Sequence, residues 1–303
     1  MISPFKYAAC DIICSNKSIS ISYKDINRLR LKNKFKPIDS DILELLYQFK
    51  YLNKHNLNIY YGNSDKFKNF SLSSDLKSRL SFMWDSGILL RYYFLWHDES
   101  KRSPNFYTLS RGSLSYLKRM HNLKIKVDES LIVESPEIVF KRLATNQLVI
   151  NYISKLKNLK RFRLNVPLYS KRYNEKFELF ALIQMHYNDN EVPIIIEPVR
   201  RIINWEKELT NRLLFLKDIL MLSIAVKEGV ITKPPLVVLL CEDDKHIIEI
   251  FERTIIKTNI NFDIFYTTDE SQMNTDLTNS LFSFNKKTDN QWCLFEHSTN
   301  ILT

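Results

Sequence analysis

Only four glycines occur in the 303 residues of this chain, and their scarcity limits the folds and sites open to it. Glycine-rich phosphate loops and the dinucleotide-binding fingerprint need several glycines within a few residues, because glycine lets the backbone approach a phosphate closely. The four glycines are widely spaced along the chain, at Gly62, Gly87, Gly112 and Gly229. P-loop enzymes and Rossmann cofactor enzymes are therefore excluded.

Length and hydropathy predict a cytoplasmic protein of two domains. A chain of 303 residues with 45% apolar residues can fill two separate cores. Lys6 and Asp11 interrupt the apolar residues at the start before a signal-peptide core could form, and the longest apolar runs, such as Leu236 to Cys241, are too short to span a membrane. Four scattered cysteines make neither a disulfide framework nor a four-ligand zinc site. No cofactor is expected from these features.

The net positive charge of the chain comes from its first part. Residues 1–124 contain 21 Lys and Arg against 10 Asp and Glu, whereas the remainder contains 23 against 24. A basic segment of this kind is a candidate nucleic-acid surface. The competing interpretation is that an AT-rich genome supplies lysine without selection for binding.

Residues 37–125 carry the element order of a winged helix-turn-helix. Pro37 ends a basic N-terminal extension, residues 1–36, in which Ser18 to Tyr23 alternates as a strand does and a basic helix or arm is expected to follow. Three helices are then predicted, followed by a hairpin with a long loop and a closing helix. The first helix is indicated by an Asp39 or Ser40 cap before Ile42 to Leu52, the second by Leu57 to Tyr61, and the third by a Ser73 or Ser74 cap with a stop at Gly87. The hairpin is indicated by Ile88 to Trp96 with Asn105 to Leu109, and the closing helix by a Ser110 cap.

Residues 126–303 are predicted to form an α/β domain. A helix from Pro136 to about Lys157 precedes three strands, and a long helix from about Ile203 to Lys227 follows them. The three strands lie near Phe162 to Leu168, Phe177 to His186 and Val192 to Val199. After the long helix, strands are predicted at Leu236 to Cys241, Phe262 to Thr267 and Trp292 to Phe295, with a helix at His246 to Lys257. The overall class is thus α+β in two domains.

Two motifs resemble the winged-helix half of the replication-relaxation family of plasmid and conjugative-element proteins. They are DLKSRLSFMWDSGILLRYYF, from Asp75, and YTLSRGSLSYL, from Tyr107. In the second half, IIIEPVRR, PPLVVLLCED, FDIFYTTDE and QWCLFEH follow one another in an order similar to the αβββαβ core of PD-(D/E)XK nucleases. The resemblance implies DNA handling on a mobile element, and it covers most of residues 40–296 by pattern.

A winged helix places its third helix in the major groove, where side chains on the exposed face reach the base edges. Lys77, Ser78, Arg79 and Ser81 occupy the predicted exposed face, and Arg79 has the side chain best suited to contact guanine. Arg91 and the wing residues Lys101 and Arg102 are predicted phosphate contacts. Solvated charges without a ligand are the alternative.

The nuclease-like core suggests a second interpretation, a Mg²⁺-dependent DNA endonuclease. Glu178 and Glu197 match the two acidic places of the motif and would hold the metal, with Glu137 as a third acid. Pro198 and Val199 follow Glu197, so the lysine place is empty and Lys207 would have to serve. Both acids could instead be strand-end carboxylates paired with Arg200 or Arg201. This domain is therefore expected to be catalytically degenerate.

These observations predict a DNA-binding protein of a plasmid, phage or integrated element that acts in replication, transfer, transposition or transcriptional control. Double-stranded DNA and proteins of the same element are the expected partners, with no membrane, and the sequence is compatible with a homodimer. The alternatives are the metal-dependent nuclease and a winged-helix adaptor that binds only protein.

Overall fold

The computed structural model divides the chain into two compact units, an N-terminal unit from Ala8 to Val139 and a C-terminal unit that begins at Phe140. The structure describes residues 9–15, 21–62, 74–97, 105–121, 133–155, 159–170, 175–187, 190–221, 235–258, 260, 262–274, 280–286 and 292–297. The division falls 14 residues after the predicted boundary at residue 125.

The N-terminal unit combines helices with a four-stranded antiparallel sheet of order β1-β3-β4-β2. In chain order its elements are β1 (Cys10–Cys14), α1 (Tyr23–Leu31), α2 (Pro37–Phe49), β2 (Leu52–Asn53), α3 (Lys54–Gly62), α4 (Ser74–Asp85), β3 (Leu89–Trp96), β4 (Phe106–Leu109) and α5 (Arg111–Met120).

Local sequence signals explain where α4 and α5 begin and end. Gly87, at φ 71°, ends α4 in the left-handed conformation, and the Ile88 amide donates to the Met83 carbonyl at 2.8 Å. The Ser110 side chain accepts from the Ser113 amide and caps α5. Both signals were predicted, and the hairpin β3–β4 lies between the two helices as expected.

The segment before residue 37 contains a strand followed by a helix, but the described strand lies before the predicted one. Its strand is β1, which pairs with β3, and Tyr23 lies in α1 instead of in the predicted strand from Ser18. Residues 16–20 lie outside the described part of the chain. Pro37 does not end this segment but opens α2, and the Lys36 amide donates to the Asp39 carboxylate at 2.7 Å. The basic segment is therefore part of the N-terminal unit.

The C-terminal unit contains a seven-stranded mixed sheet of order β11-β10-β9-β8-β7-β6-β5. Strands β7, β8 and β9 are parallel, and the other neighbours are antiparallel. The elements are α6 (Pro136–Lys155), which begins just before the division, β5 (Leu159–Ser170), β6 (Glu175–Tyr187), β7 (Asn190–Pro198), α7 (Trp205–Met221), β8 (Leu236–Cys241), α8 (Asp244–Ile250), a π-helical turn (Phe251–Ile255), α9 (Ile256–Thr258), β9 (Ile264–Thr268), α10 (Asp269–Asn274), β10 (Leu281–Lys286) and β11 (Trp292–His297).

The core of this sheet is formed by the apolar residues of its parallel strands and of α7. Ile195, Val237 and Leu239 are buried on the strands, and Leu213 and Leu216 cover them from α7. Because β7, β8 and β9 run in the same direction, the residues that follow them lie along one edge of the sheet. The chain segments after Pro198, Cys241 and Thr268 are polar, and their side chains meet there.

Candidate functional site

Helix α4 presents a polar face to solvent. Lys77, Ser78 and Ser81 are exposed on it. The opposite face is buried in the core of the N-terminal unit through Leu76, Leu80, Met83 and Trp84. Three of the four predicted base-reading residues are therefore accessible to a ligand.

The fourth, Arg79, is engaged within the protein. Its guanidinium binds the carboxylate of Asp39, a residue with no exposed surface, and Nη2 also donates to the Lys34 carbonyl at 2.8 Å. Only 13% of the Arg79 side chain is exposed, and its guanidinium lies 4.4 Å from the centroid of the Phe82 ring. The sequence prediction that Arg79 projects from the helix toward base edges does not agree with this geometry, because its donors are directed at Asp39 and Lys34.

Arg91 is also held by neighbours. Its Nε donates to the Ser15 hydroxyl at 2.9 Å, and its guanidinium lies 3.1 Å from the centroid of the Trp84 ring. These contacts join strand β3 to the residue after β1 and to helix α4. The predicted wing residues Lys101 and Arg102 lie outside the described residues.

The basic residues of the segment before α2 are exposed. The exposed cations in and after α1 are Lys24, Arg28, Arg30, Lys32, Lys34 and Lys36. Helix α5 adds exposed Lys118 and Arg119, and the Arg119 guanidinium lies 4.5 Å from the centroid of the Tyr23 ring in α1. Helices α1 and α5 and the segment before α2 thus present exposed cations to solvent.

In the C-terminal unit, Glu197 is paired with an arginine. It is 1% exposed, and both of its carboxylate oxygens accept from Arg212 of α7, one of them at 2.6 Å. Arg212 also donates to the Glu178 carbonyl at 3.1 Å. When both oxygens of a carboxylate accept hydrogen bonds from one guanidinium, the oxygens that would coordinate a metal ion are already occupied.

Glu178 lies on the strand beside that of Glu197, and Arg212 contacts both residues, but the Glu178 carboxylate has a different partner. The Glu178 carboxylate accepts from Arg142 at 2.7 Å, and Lys207 is exposed on α7. Glu137 lies in the first turn of α6, on the N-terminal side of the division between the units. The alternative that these acids are paired is thus correct in kind, but the partners are Arg142 and Arg212 instead of Arg200 and Arg201.

A divalent cation does not fit this arrangement. Within the described residues, no group of three or more His, Cys, Asp and Glu side chains could hold a metal ion. The cavity beside Glu197 measures about 10 Å³ and is lined in part by Lys141, Glu208 and Arg212. That volume holds about one water molecule.

Sequence reasoning missed a polar cluster at the ends of the parallel strands. Arg200 has no exposed surface and donates to Asp269 at 2.9 Å. Arg201 donates to Glu242, Asp243 and Glu249, with the shortest of these bonds at 2.9 Å. The signal was present, since two arginines follow one buried strand and three acids follow the next.

The arginines of this cluster are paired with its acids. Hydrogen bonding from Arg201 lowers the pKa of Asp243 to about 2. Burial, helped by the positive charge of Arg201, lowers the pKa of His246 to about 3, and its Nδ1 accepts from the Glu242 amide at 3.3 Å. Neutral His246 and ionised Asp243 beside Arg201 are typical of a structural network, which here joins three strand ends.

Comparisons with protein-family models, with curated proteins and with solved structures found no match to this chain. None of the helices in the described ranges has both the length and the apolar composition needed to cross a membrane.

Proposed function

We propose that this chain binds double-stranded DNA through its N-terminal unit, with α4 as the helix that enters the major groove. The order α2, β2, α3, α4, β3, β4 and the sheet order β3-β4-β2 support this proposal, because a winged helix has these elements in this arrangement. The observation that carries it is the exposed polar face of α4, with Lys77, Ser78 and Ser81 beside a basic surface.

The chemistry of this surface suits a duplex. Exposed lysine and arginine side chains neutralise phosphates and release counterions, which gives affinity without sequence preference. Serine hydroxyls can donate to and accept from base edges, and Lys77 can donate to guanine acceptors. Arg79 is not part of this proposal, since Asp39 and Lys34 hold its guanidinium.

The proposed cellular role is replication, transfer, transposition or transcriptional control of a mobile genetic element. It is drawn from the resemblance of the two sequence motifs to the replication-relaxation family. The C-terminal unit is proposed to be a nuclease-like domain that serves in assembly, because Arg212 neutralises Glu197 where catalysis would need a metal ligand.

A selected duplex tests the proposal. The full-length chain is first used to enrich binding sequences from a random pool, and affinities are then measured on an enriched duplex and on its scrambled counterpart. The double variant K77A/S81A should lose about 1 to 3 kcal/mol on the enriched duplex and much less on the scrambled one. Lys245→Ala, an exposed lysine of α8, is the matched control and should change neither affinity.

The adaptor alternative gives a different result. If no sequence is enriched and no duplex binds at low salt, the N-terminal unit is not a DNA reader. If Lys245→Ala weakens binding as much as the double variant does, the contact surface has been assigned to the wrong unit.

A further inference from the structure

The buried pair of Arg79 and Asp39 connects three parts of the N-terminal unit. Asp39 lies in the first turn of α2, accepts the Lys36 amide at 2.7 Å and accepts Arg79 Nε at 2.9 Å. Arg79 in turn donates from α4 to the Lys34 carbonyl at 2.8 Å. The loop of residues 32–36, here called the basic loop, is therefore fixed against α4.

The basic loop has a defined conformation of its own. Asn33 adopts the left-handed region at φ 53°, and the amides of Lys34 and Phe35 both donate to the Leu29 carbonyl, at 2.9 and 3.2 Å. The Phe35 ring is buried, and its centroid lies 5.6 Å from that of Tyr116 in α5. The side chains of Lys32, Lys34 and Lys36 are exposed, so the backbone is held while the charges face solvent.

The chain that leads into the loop is anchored as well. A Cβ atom at Gly112 would lie 1.8 Å from the Ile21 carbonyl oxygen, which shows how closely this segment packs on α5. The Ile21 amide donates to the Gly87 carbonyl, at the end of α4, at 3.4 Å. The basic segment is thus attached to α4 at Gly87 and again at Arg79.

We propose that the basic loop is a phosphate-binding element that contacts the DNA backbone beside α4, and that Arg79 is the residue that positions it. This inference rests on the proposed DNA binding. Positioned cations lose less conformational entropy on binding than cations on a mobile arm, and a fixed distance from α4 sets the register of that helix on the duplex. The ligand is the phosphate backbone of duplex DNA, chosen because Lys32, Lys34 and Lys36 are exposed cations on a loop whose Lys34 carbonyl is bound by Arg79 of α4.

The salt dependence of binding tests this proposal with full-length protein. Each phosphate contact contributes about 0.9 to the slope of log affinity against log salt concentration, so K34Q/K36Q should flatten the slope by about 1.8 on a random-sequence duplex. The matched control K245Q/K257Q removes two exposed lysines of the C-terminal unit and should leave the slope unchanged.

Arg79→Lys separates positioning from contact. Lysine keeps the charge but cannot maintain the forked contact to Asp39 and Lys34, so the slope should flatten although no cation has been removed. Adding this change to K34Q/K36Q should cause no further flattening, because the loop charges are already absent. Circular dichroism at the assay temperature verifies that each variant is folded. If Arg79→Lys is unfolded, K34Q/K36Q alone tests whether the basic loop contacts phosphates.

The failure of this inference can be told from the failure of DNA binding itself. A wild-type slope in K34Q/K36Q, together with a flattened slope in Lys77→Gln, would overturn the role of the basic loop and leave DNA binding by α4 intact. Binding that is absent or independent of salt in the unaltered protein would overturn both.

Discussion

Replacing Arg212 by methionine should strongly destabilise the C-terminal unit. Glu197 is 1% exposed and Arg212 15% exposed, so methionine would leave a buried carboxylate without its cation. Removing one partner of a buried ion pair costs about 3 to 5 kcal/mol, because the remaining charge has lost both its solvent and its partner. Urea titration followed by circular dichroism measures the loss.

A double-mutant cycle isolates the pair itself. Replacing both residues, as E197L/R212M, should recover most of the loss, since a buried ion pair is about as stable as an apolar pair of similar volume. Arg253→Met is the control. It breaks an ion pair with Glu206 in which both side chains are largely exposed, and the free energy of unfolding should hardly change.

The effect of divalent cations on protein stability distinguishes this ion-pair explanation from the nuclease alternative. If Glu197 were a metal ligand, Mg²⁺ or Mn²⁺ would stabilise the protein by about 2.7 kcal/mol at one hundred times its Kd, and Glu197→Gln would abolish the effect. The ion pair predicts no stabilisation of the unaltered protein by either cation. Metal-dependent stabilisation that is lost in Glu197→Gln would refute the reasoning, and plasmid cleavage with the same dependence would restore the nuclease.

Three further predictions concern stability. Leu80→Ala should lower the free energy of unfolding by about 2 to 5 kcal/mol, because Leu80 lies on the buried face of α4. Lys77→Ala, on the exposed face, should change it by less than about 0.5 kcal/mol. Equal losses would mean that the two helix faces have been assigned wrongly. Gly112→Ala should lower the unfolding midpoint in urea by the equivalent of about 1 to 3 kcal/mol, since the added methyl collides with the Ile21 carbonyl. An unchanged midpoint would contradict the close packing of Ile21 on α5. Burial lowers the pKa of His246 from 6.5 to about 3, so the unfolded chain binds its proton first and stability falls as the pH drops from 6.5 toward 3, by about 1.4 kcal/mol per pH unit. His246→Asn should remove that part of the pH slope, which urea titrations at several pH values measure against the unaltered protein.

The local signals in the sequence were sufficient for the elements around the proposed reading helix. Gly87 ends α4 because glycine adopts a positive φ without strain, and Ser110 caps α5 because its hydroxyl reaches an unpaired amide. Both effects act within a few residues, so the sequence contains all the information needed. Strand β10, Leu281–Lys286, was not predicted, because a short strand depends on its pairing with its neighbours in the sheet, here β9 and β11.

The side-chain partners could not be predicted because they depend on distant parts of the chain. Arg79 was expected to face solvent, yet Asp39, 40 residues away, binds its guanidinium. At about 100° per residue Arg79 lies about 60° from Leu76, so it is beside the buried face of the helix and not opposite it. Arg200 and Arg201 follow β7, and only the parallel register with β8 and β9 brings them to acids at 242–249 and 269. Periodicity assigns a face, whereas tertiary contacts assign the partner.

The arrangement of charges indicates where the proposed DNA affinity should reside. In the C-terminal unit, Arg142, Arg200, Arg201 and Arg212 each donate to at least one carboxylate, which cancels most of their positive field at the distance of a phosphate. In the N-terminal unit the charges of Lys32, Lys34 and Lys36 are exposed, and the acid that fixes their loop, Asp39, is buried and already paired with Arg79. A buried, paired acid can hold a basic surface in place without repelling the phosphates that the surface attracts. The same cations on an unanchored arm would have equal charge but no fixed distance to α4. In the proposed complex, the anchored basic loop would therefore set the position of the duplex as well as contribute to the affinity.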